Sequence, residues 1–317
     1  MADILYIVVP CYNEQEVLPE TAKRLKAKME ALITSGVVSK KSRIMLVNDG
    51  SKDTTWEIIS NLHSESHLFT GVNLTRNRGH QNALLAGLMT AKSRADVTIS
   101  MDADLQDNIE AVDEMLKKYY DGCDVVYGVR SKRKKDTWFK RFTAEGFYRI
   151  MNFFGAETVF NHADYRLMSK RTLDGLEKFK EVNLFLRGIV PMIGYKSDVV
   201  YYEREERFAG ESKYPLKKMI AFALEGITSL SSKPIRYITL TGFFIFIISL
   251  IMICYFIFRW AIGATVSGWT SVICSVWAIG GLMILSIGII GEYIGKIYLE
   301  SKERPKFLIE TVLDDEN

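Results

Sequence analysis

Four times within the first 120 residues the chain passes through an aliphatic stretch, a polar loop and a helical pattern, and a fifth aliphatic stretch closes the series. The stretches are Ile4 to Pro10, Arg43 to Asn48, Gly71 to Leu74, Val97 to Met101 and Asp124 to Val129. The helical patterns run to Leu32 (Leu18, Leu25, Met29, Leu32), then from Thr54 to His63, Ala83 to Ala91 and Ile109 to Tyr120. The stretches are continuous rather than alternating, so both faces of each strand must be buried. Strands alternating with helices under that constraint predict an α/β fold, a mainly parallel sheet covered on both sides.

In an open parallel sheet ligands gather beyond the carboxyl ends of the strands. Four loops leave such ends, at Pro10, Asp49, Thr75 and Asp102, and they carry Tyr12, Glu14, Asp49, Asn82, Asp102 and Asp104. Gly50 is free to turn the second loop, and Asp53 is placed to cap the helix after it. In Met101-Asp102-Ala103-Asp104-Leu105-Gln106-Asp107 an extended backbone would project Asp102, Asp104 and Gln106 the same way. Three hard oxygens in register suit Mg2+ or Mn2+, ions commonly held by one or two carboxylates plus substrate phosphates. A solvated acidic turn is the bland alternative. Neither G-x-G-x-x-G nor G-x-x-x-x-G-K-[ST] follows any strand, which removes dinucleotide enzymes and P-loop NTPases.

Net charge is only +3 over 317 residues, but the hydropathy is uneven. Ile238 to Phe258 and Val272 to Ile290 are almost wholly apolar and long enough to span a bilayer, so two membrane helices are expected. No basic-plus-apolar leader precedes the first strand, which predicts a cytosolic N-terminal part. Cys11, Cys123, Cys254 and Cys274 show no metal-ligand spacing. From Pro215 to Leu230 the apolar residues fall on one helical face, the pattern of an interfacial helix. Gly291 and Gly295 form a small-xxx-small pair compatible with a homo-oligomer, and the acidic tail Asp314-Asp315-Glu316 reads as a frayed end.

Val8-Val9-Pro10-Cys11-Tyr12-Asn13-Glu14, Leu46-Val47-Asn48-Asp49-Gly50-Ser51 and Met101 to Gln106 together resemble the successive signatures of glycosyltransferase family 2, inverting nucleotide-sugar transferases of A-type fold. The nearest likeness is to the polyprenyl-phosphate glycosyltransferases, over almost the whole chain. The resemblance implies that Pro10, Tyr12, Asn13, Glu14, Val47 and Asp49 embrace the nucleotide. Asp102 and Asp104, with Ala103 between them, and Gln106 would set the metal against its diphosphate. Asn48 departs from the aspartate common in the family at that position.

Further along, Arg130 opens a basic stretch that includes Arg133, and Arg207 and Lys213 belong to an R-x-x-G-E-S-K element. By resemblance Arg130 contacts the donor diphosphate, Arg133 the acceptor phosphate, and Arg207 and Lys213 close over phosphate. Asn161 to Met168 resembles the second acidic motif, which makes Asp164 the residue nearest the attacking oxygen, with Asp104 and Arg133 as its catalytic companions. Cations interleaved with aromatics also suit nucleic acid, but a chain with membrane spans disfavours that partner.

These readings predict a glycosyltransferase domain over 1–212, an amphipathic juxtamembrane segment over 213–236, a two-helix transmembrane hairpin over 237–297 and a cytosolic tail over 298–317. The expected reaction is metal-dependent transfer of one hexose, leaning to glucose, from a UDP-sugar rather than a GDP-sugar to polyprenyl phosphate. The expected place is the plasma membrane, with catalytic domain and both termini cytosolic. Two alternatives stay open: a processive polysaccharide synthase, disfavoured by the missing Q-x-x-R-W, and a silent sugar-nucleotide-binding scaffold.

Overall fold

In the computed structural model the described residues are 2–130, 162–182, 185–203 and 269–314, with scattered positions between 235 and 255. Eight strands form one sheet: β1 (Leu5–Cys11), β2 (Arg43–Asn48), β3 (Phe69–Leu74), β4 (Val97–Ser100), β5 (Val125–Arg130), β6 (His162–Ser169), β7 (Ser197–Tyr202) and β8 (Ile309–Leu313). Their order across the sheet is β7-β5-β6-β4-β1-β2-β3-β8.

The parallel block β4-β1-β2-β3 is the one expected from the sequence. Its strands are buried on both faces, and successive residues divide between two cores. Ile7, Val9, Ile44 and Leu46 pack with Leu18, Leu25, Met29 and Leu32 of α1 (Leu18–Thr34), a layer completed by α2 (Thr55–Glu65) and α4 (Ala111–Tyr120). Tyr6, Val8, Met45 and Val47 pack with Leu84 and Leu88 of α3 (His80–Lys92), alongside α5 (Lys170–Leu176) and α6 (Leu186–Met192). The approach of α3 is close: a Cβ at Gly87 would lie 2.5 Å from Val8 Cγ1 and 2.6 Å from Val47 Cγ2.

Two strands depart from the parallel scheme. β6 inserts between β4 and β5, antiparallel to both, and β8 pairs antiparallel with β3. The reading of Asp314-Asp315-Glu316 as a frayed end is corrected at Asp314, while Asp315 and Glu316 lie outside the described residues. Residues 309–313 complete the sheet, and Asp314, its side chain 6% exposed, forms an ion pair with Arg94. The tail therefore belongs to the same sheet as β1.

Among the described residues no helix is long and apolar enough to cross a membrane. α7 (Trp269–Ser301) has 33 residues and contains the whole Val272 to Ile290 run. Several of its side chains fall outside the described residues, so the apolarity of that run rests on its sequence. Ile238 to Phe258 is described only in part, and the expected interfacial helix over 215–230 lies outside the described residues.

Candidate active site

The parallel strands deliver their loops to one edge of the sheet, and β6, running the other way, starts at that same edge. Ser100 at the end of β4 pairs with Arg166 and donates a hydrogen bond to the Asp164 carbonyl at 2.5 Å. Asp164 and the D-x-D loop therefore sit on neighbouring strands. Between them stands His80, the first residue of α3, with Nε2 3.5 Å from Asp102 Oδ1 and 3.6 Å from Asp164 Oδ2.

The two carboxylates differ in their electrostatics. Burial raises the pKa of Asp102, and although His80 opposes the rise, Asp107, Asp164 and Asp104 reinforce it, to about 6. Asp164 is buried as well, yet Arg187, His80 and Arg166 more than compensate and hold it well below the usual carboxylate range. Arg166 Nη2 donates to it at 2.6 Å, and Arg187 donates through Nε at 3.2 Å and Nη2 at 3.0 Å. For His80, burial works against the charged ring, but Asp164 and Asp102 prevail and lift its pKa above the ordinary histidine value.

The D-x-D loop is not extended throughout, contrary to expectation. β4 ends at Ser100, and Leu105 has a φ of +57°. That left-handed residue takes Gln106 out of register with Asp102 and Asp104, and Gln106 is buried at 7% exposure. Ala103 is buried too, its carbonyl accepting from Thr21 Oγ1 at 2.8 Å, which ties the loop to α1. Asp104 Oδ1 accepts from the Gln106 N–H at 3.2 Å. Among the described residues no three of His, Cys, Asp and Glu gather as a closed metal cage. The acid crowding that lifts Asp102 is nonetheless what a divalent cation would relieve. Asp102 and Asp104 fit an ion whose remaining ligands come from a diphosphate and water.

Below this loop Asp107 accepts from the Tyr202 hydroxyl and from Arg130 Nη2, the latter at 3.2 Å. The expected diphosphate contact, Arg130, is thus engaged with a buried acid under the loop, its side chain 25% exposed.

Where the nucleotide is expected, Pro10 and Val47 are paired residues near the ends of β1 and β2, and both are buried. Tyr12 is 41% exposed at the rim. Asn13 has a φ of +53°; its N–H donates to Ser51 Oγ at 3.0 Å and its Oδ1 accepts from the Lys52 N–H at 2.9 Å. Glu14 donates its N–H to Thr55 Oγ1 at 2.9 Å. Asp53 accepts from the Thr55 N–H at 3.1 Å, but the N-cap of α2 is Thr54 rather than the expected Asp53, which stands one residue before it. Asp49 is 2% exposed, and its carboxylate accepts the N–H groups of Arg78 and Gly79 at 2.7 and 2.9 Å. It holds the third loop against the second. Gly50, at φ +62°, allows that contact, because a Cβ there would lie 2.4 Å from Asn77 N. Arg133, Arg207 and Lys213 lie outside the described residues.

His80, Asp107, Arg166 and Arg187 escaped the sequence reading. Arg166 lies inside the second acidic motif, where its alternation with Asp164 on a strand was a usable signal. His80 and Arg187 follow apolar or glycine neighbours and carry no such mark.

A doubly covered sheet with an acid pair at a strand end, faced by a third acid from an inserted antiparallel strand, defines an α/β glycosyltransferase of the A type. The chain belongs to glycosyl transferase family 2, whose sequence profile matches residues 6–176. It is 52% identical over 313 residues to the uncharacterized glycosyltransferase YkoT of Bacillus subtilis (strain 168), covering 99% of this chain and 93% of that one. It is 39% identical over 305 residues to the bactoprenol glucosyl transferase of Shigella phage SfV, covering 96% and 97%. Among solved structures, mannosyl-3-phosphoglycerate synthase from Rubrobacter xylanophilus overlays with a TM-score of 0.48 at 15% identity, over 76% of this chain and 75% of that one.

Proposed function

We propose that this glycosyltransferase moves one hexose, with glucose favoured, from a UDP-sugar to polyprenyl phosphate at the cytosolic face of the plasma membrane, with inversion at the sugar. The observation that carries the reading is the juxtaposition of Asp102 and Asp164 across β4 and β6 with His80 between them. It gives one edge of the sheet a place for a donor diphosphate and, a few ångströms away, a second charged subsite. The relatives named bactoprenol glucosyl transferase support the acceptor and the sugar.

The chemistry asked of the protein is modest. A phosphate monoester has its second pKa near ~6, so at neutral pH most acceptor is already a dianionic nucleophile. One in-line displacement by that oxygen at the anomeric carbon expels the nucleoside diphosphate and inverts the centre. Asp164, its charge fixed by Arg187, Arg166 and His80, is a poor proton acceptor. It orients the acceptor side and steadies positive charge developing on the sugar ring. A Mg2+ or Mn2+ ion held by Asp102 and Asp104, with Gln106 nearby, would neutralise charge on the departing diphosphate.

A membrane seat is supported by α7. Val272, Val276, Ile279, Met283, Ile287, Ile290, Ile294 and Ile297 recur at helical spacing, each at least 42% exposed. At about 1.5 Å per residue, the 33-residue helix is about 50 Å long, more than the ~30 Å hydrocarbon core requires. An exposed apolar stripe of that length marks an interaction surface, and a bilayer fits its sequence. The pairing of β8 with β3 supports an even number of crossings between residues 202 and 309, since both strands sit in one sheet.

The test is transfer of label from a panel of UDP- and GDP-sugars to chloroform-extractable lipid, using membranes that contain the protein and added polyprenyl phosphate. Labelled lipid from UDP-glucose alone is the expected result. Water-soluble product only, or long polymer, would overturn the reading.

A further inference from the structure

The C-terminal strand reaches the donor side of the site through a chain of amides with a defined direction. Asn48 stands at the end of β2 and is 3% exposed; it pairs in register with Asn73 on β3, which pairs in turn with Thr311 on β8. Between Asn73 and Leu74 the register shifts, and the partner moves from Thr311 to Ile309, passing over Glu310. Irregularities of this kind re-aim a side chain, and here the Glu310 carboxylate accepts from Asn73 Nδ2 at 2.8 Å. Asn73 Oδ1 accepts from Asn48 Nδ2 at 2.7 Å, and Asn48 Oδ1 accepts from the Ser51 N–H at 3.2 Å. Ser51 Oγ then accepts the Asn13 N–H at 3.0 Å.

The polarity of this chain is fixed at both ends, by the Ser51 N–H, which only donates, and by the Glu310 carboxylate. An amide can face either way, whereas a carboxylate only accepts. Glu310 therefore turns the NH2 of Asn73 toward itself and leaves Oδ1 facing residue 48. A donor is then required at 48, and asparagine supplies one while keeping an oxygen for the Ser51 N–H. Aspartate would set two acceptors 2.7 Å apart.

We propose that Glu310 is a positioning residue for the donor nucleotide: through Asn73 and Asn48 it sets the Ser51–Asn13 loop pair against which the nucleotide is held. The proposal rests on the nucleotide-sugar reading of that loop pair. It makes β8, which follows the apolar segments in the chain, a working part of the donor site.

The experiment is a double-mutant cycle on the full-length protein with Asn48→Asp, Glu310→Lys and the pair together. Asn48→Asp keeps shape but removes the donor, so its melting temperature should fall by about 5 °C. Glu310→Lys replaces an acceptor by a donor and should lower it by about 2 °C. In the double variant Asn73 can reverse, donating to Asp at 48 and accepting from Lys at 310, so melting should recover to within about 2 °C of the parent. UDP affinity measured by calorimetry with Mn2+ should follow the same order, about tenfold weaker for Asn48→Asp and within about threefold in the pair. In turnover the Glu310→Lys loss should fall on the KM for the nucleotide sugar, with kcat kept. Additive melting losses would overturn the relay, and recovered melting without recovered UDP affinity would overturn the positioning role. If the parent binds neither UDP nor GDP, the donor assignment fails, while the melting cycle, which needs no ligand, still decides the relay.

Discussion

Asp164 and Arg187, 23 residues apart in the chain, are joined by two hydrogen bonds, Nε to Oδ1 at 3.2 Å and Nη2 to Oδ2 at 3.0 Å. With Arg166 on the other flank, the carboxylate of the second acidic motif is held in its charged form. A lowered folded-state pKa means that its stabilising charge is complete above the ordinary carboxylate range. That contribution is lost only as pH falls through the lowered value, far below physiological pH.

Asp164 should therefore contribute no limb to the pH–rate profile between pH 6 and 8.5. Asp164→Asn should lower kcat by about 100-fold or more at every pH in that window, because it removes a fixed charge. Rescue at pH 8.5 with both substrates still bound would show that proton removal was limiting and defeat the electrostatic role.

Asp102 behaves in the opposite sense. Its folded-state pKa is raised, so its favourable contribution is complete below the unfolded value and is lost as pH rises through about 6. In metal-free protein at pH 7.5 the charged side chain is a burden of about 3 kcal/mol. Asp102→Asn should then raise the melting temperature at pH 7.5 in EDTA, keep about half of that advantage at pH 5, and lose transferase activity. A lower melting temperature at pH 7.5 would contradict the crowding on which the proposed cation site rests.

Asp104→Asn changes charge with little change of shape, and should cut transfer by about 100-fold or more while far-UV circular dichroism and melting stay close to the parent. Near-normal turnover of this variant in EDTA would remove the metal from the mechanism.

Gly50→Ala tests the meeting of the second and third loops. It combines a positive φ with a Cβ 2.4 Å from Asn77 N, so the Asp49 bonds to the Arg78 and Gly79 N–H groups must give way. A loss of about 2–4 kcal/mol in urea unfolding is expected. A neutral result would mean that the loops move apart without cost.

Orientation is tested from outside the cell. Lys213, Lys217, Lys218, Lys233 and Arg236 precede the first apolar run and Lys296, Lys302, Arg304 and Lys306 follow the start of the second, while Arg259 lies between. A cysteine placed at Ser267 should react with an impermeant thiol reagent on intact cells. Labelling only after lysis would reverse the topology.

The parallel block was readable from residue types, because strands buried on both faces must be aliphatic throughout, and helices between them leave the loops at one edge. Tyr12, Asn13, Asp49, Asp102 and Asp104 were assigned to that edge in this way, from local pattern and family likeness. Gly50 announced its turn, since few other residues tolerate its conformation.

What periodicity cannot express is which strand lies beside which, and in what direction. The insertion of β6 between β4 and β5 brings Asp164 to Asp102, and only its antiparallel sense puts its first residues at the loop edge. His80 and Arg187 acquire their roles from that placement, because a charge is defined by the partners within a few ångströms of it. The positive φ of Leu105, which turns Gln106 out of line, and the return of Glu310 to Asn73 are likewise products of closure. Each follows from contacts between residues far apart in the chain, and long-range contacts leave no local signature in the sequence that makes them.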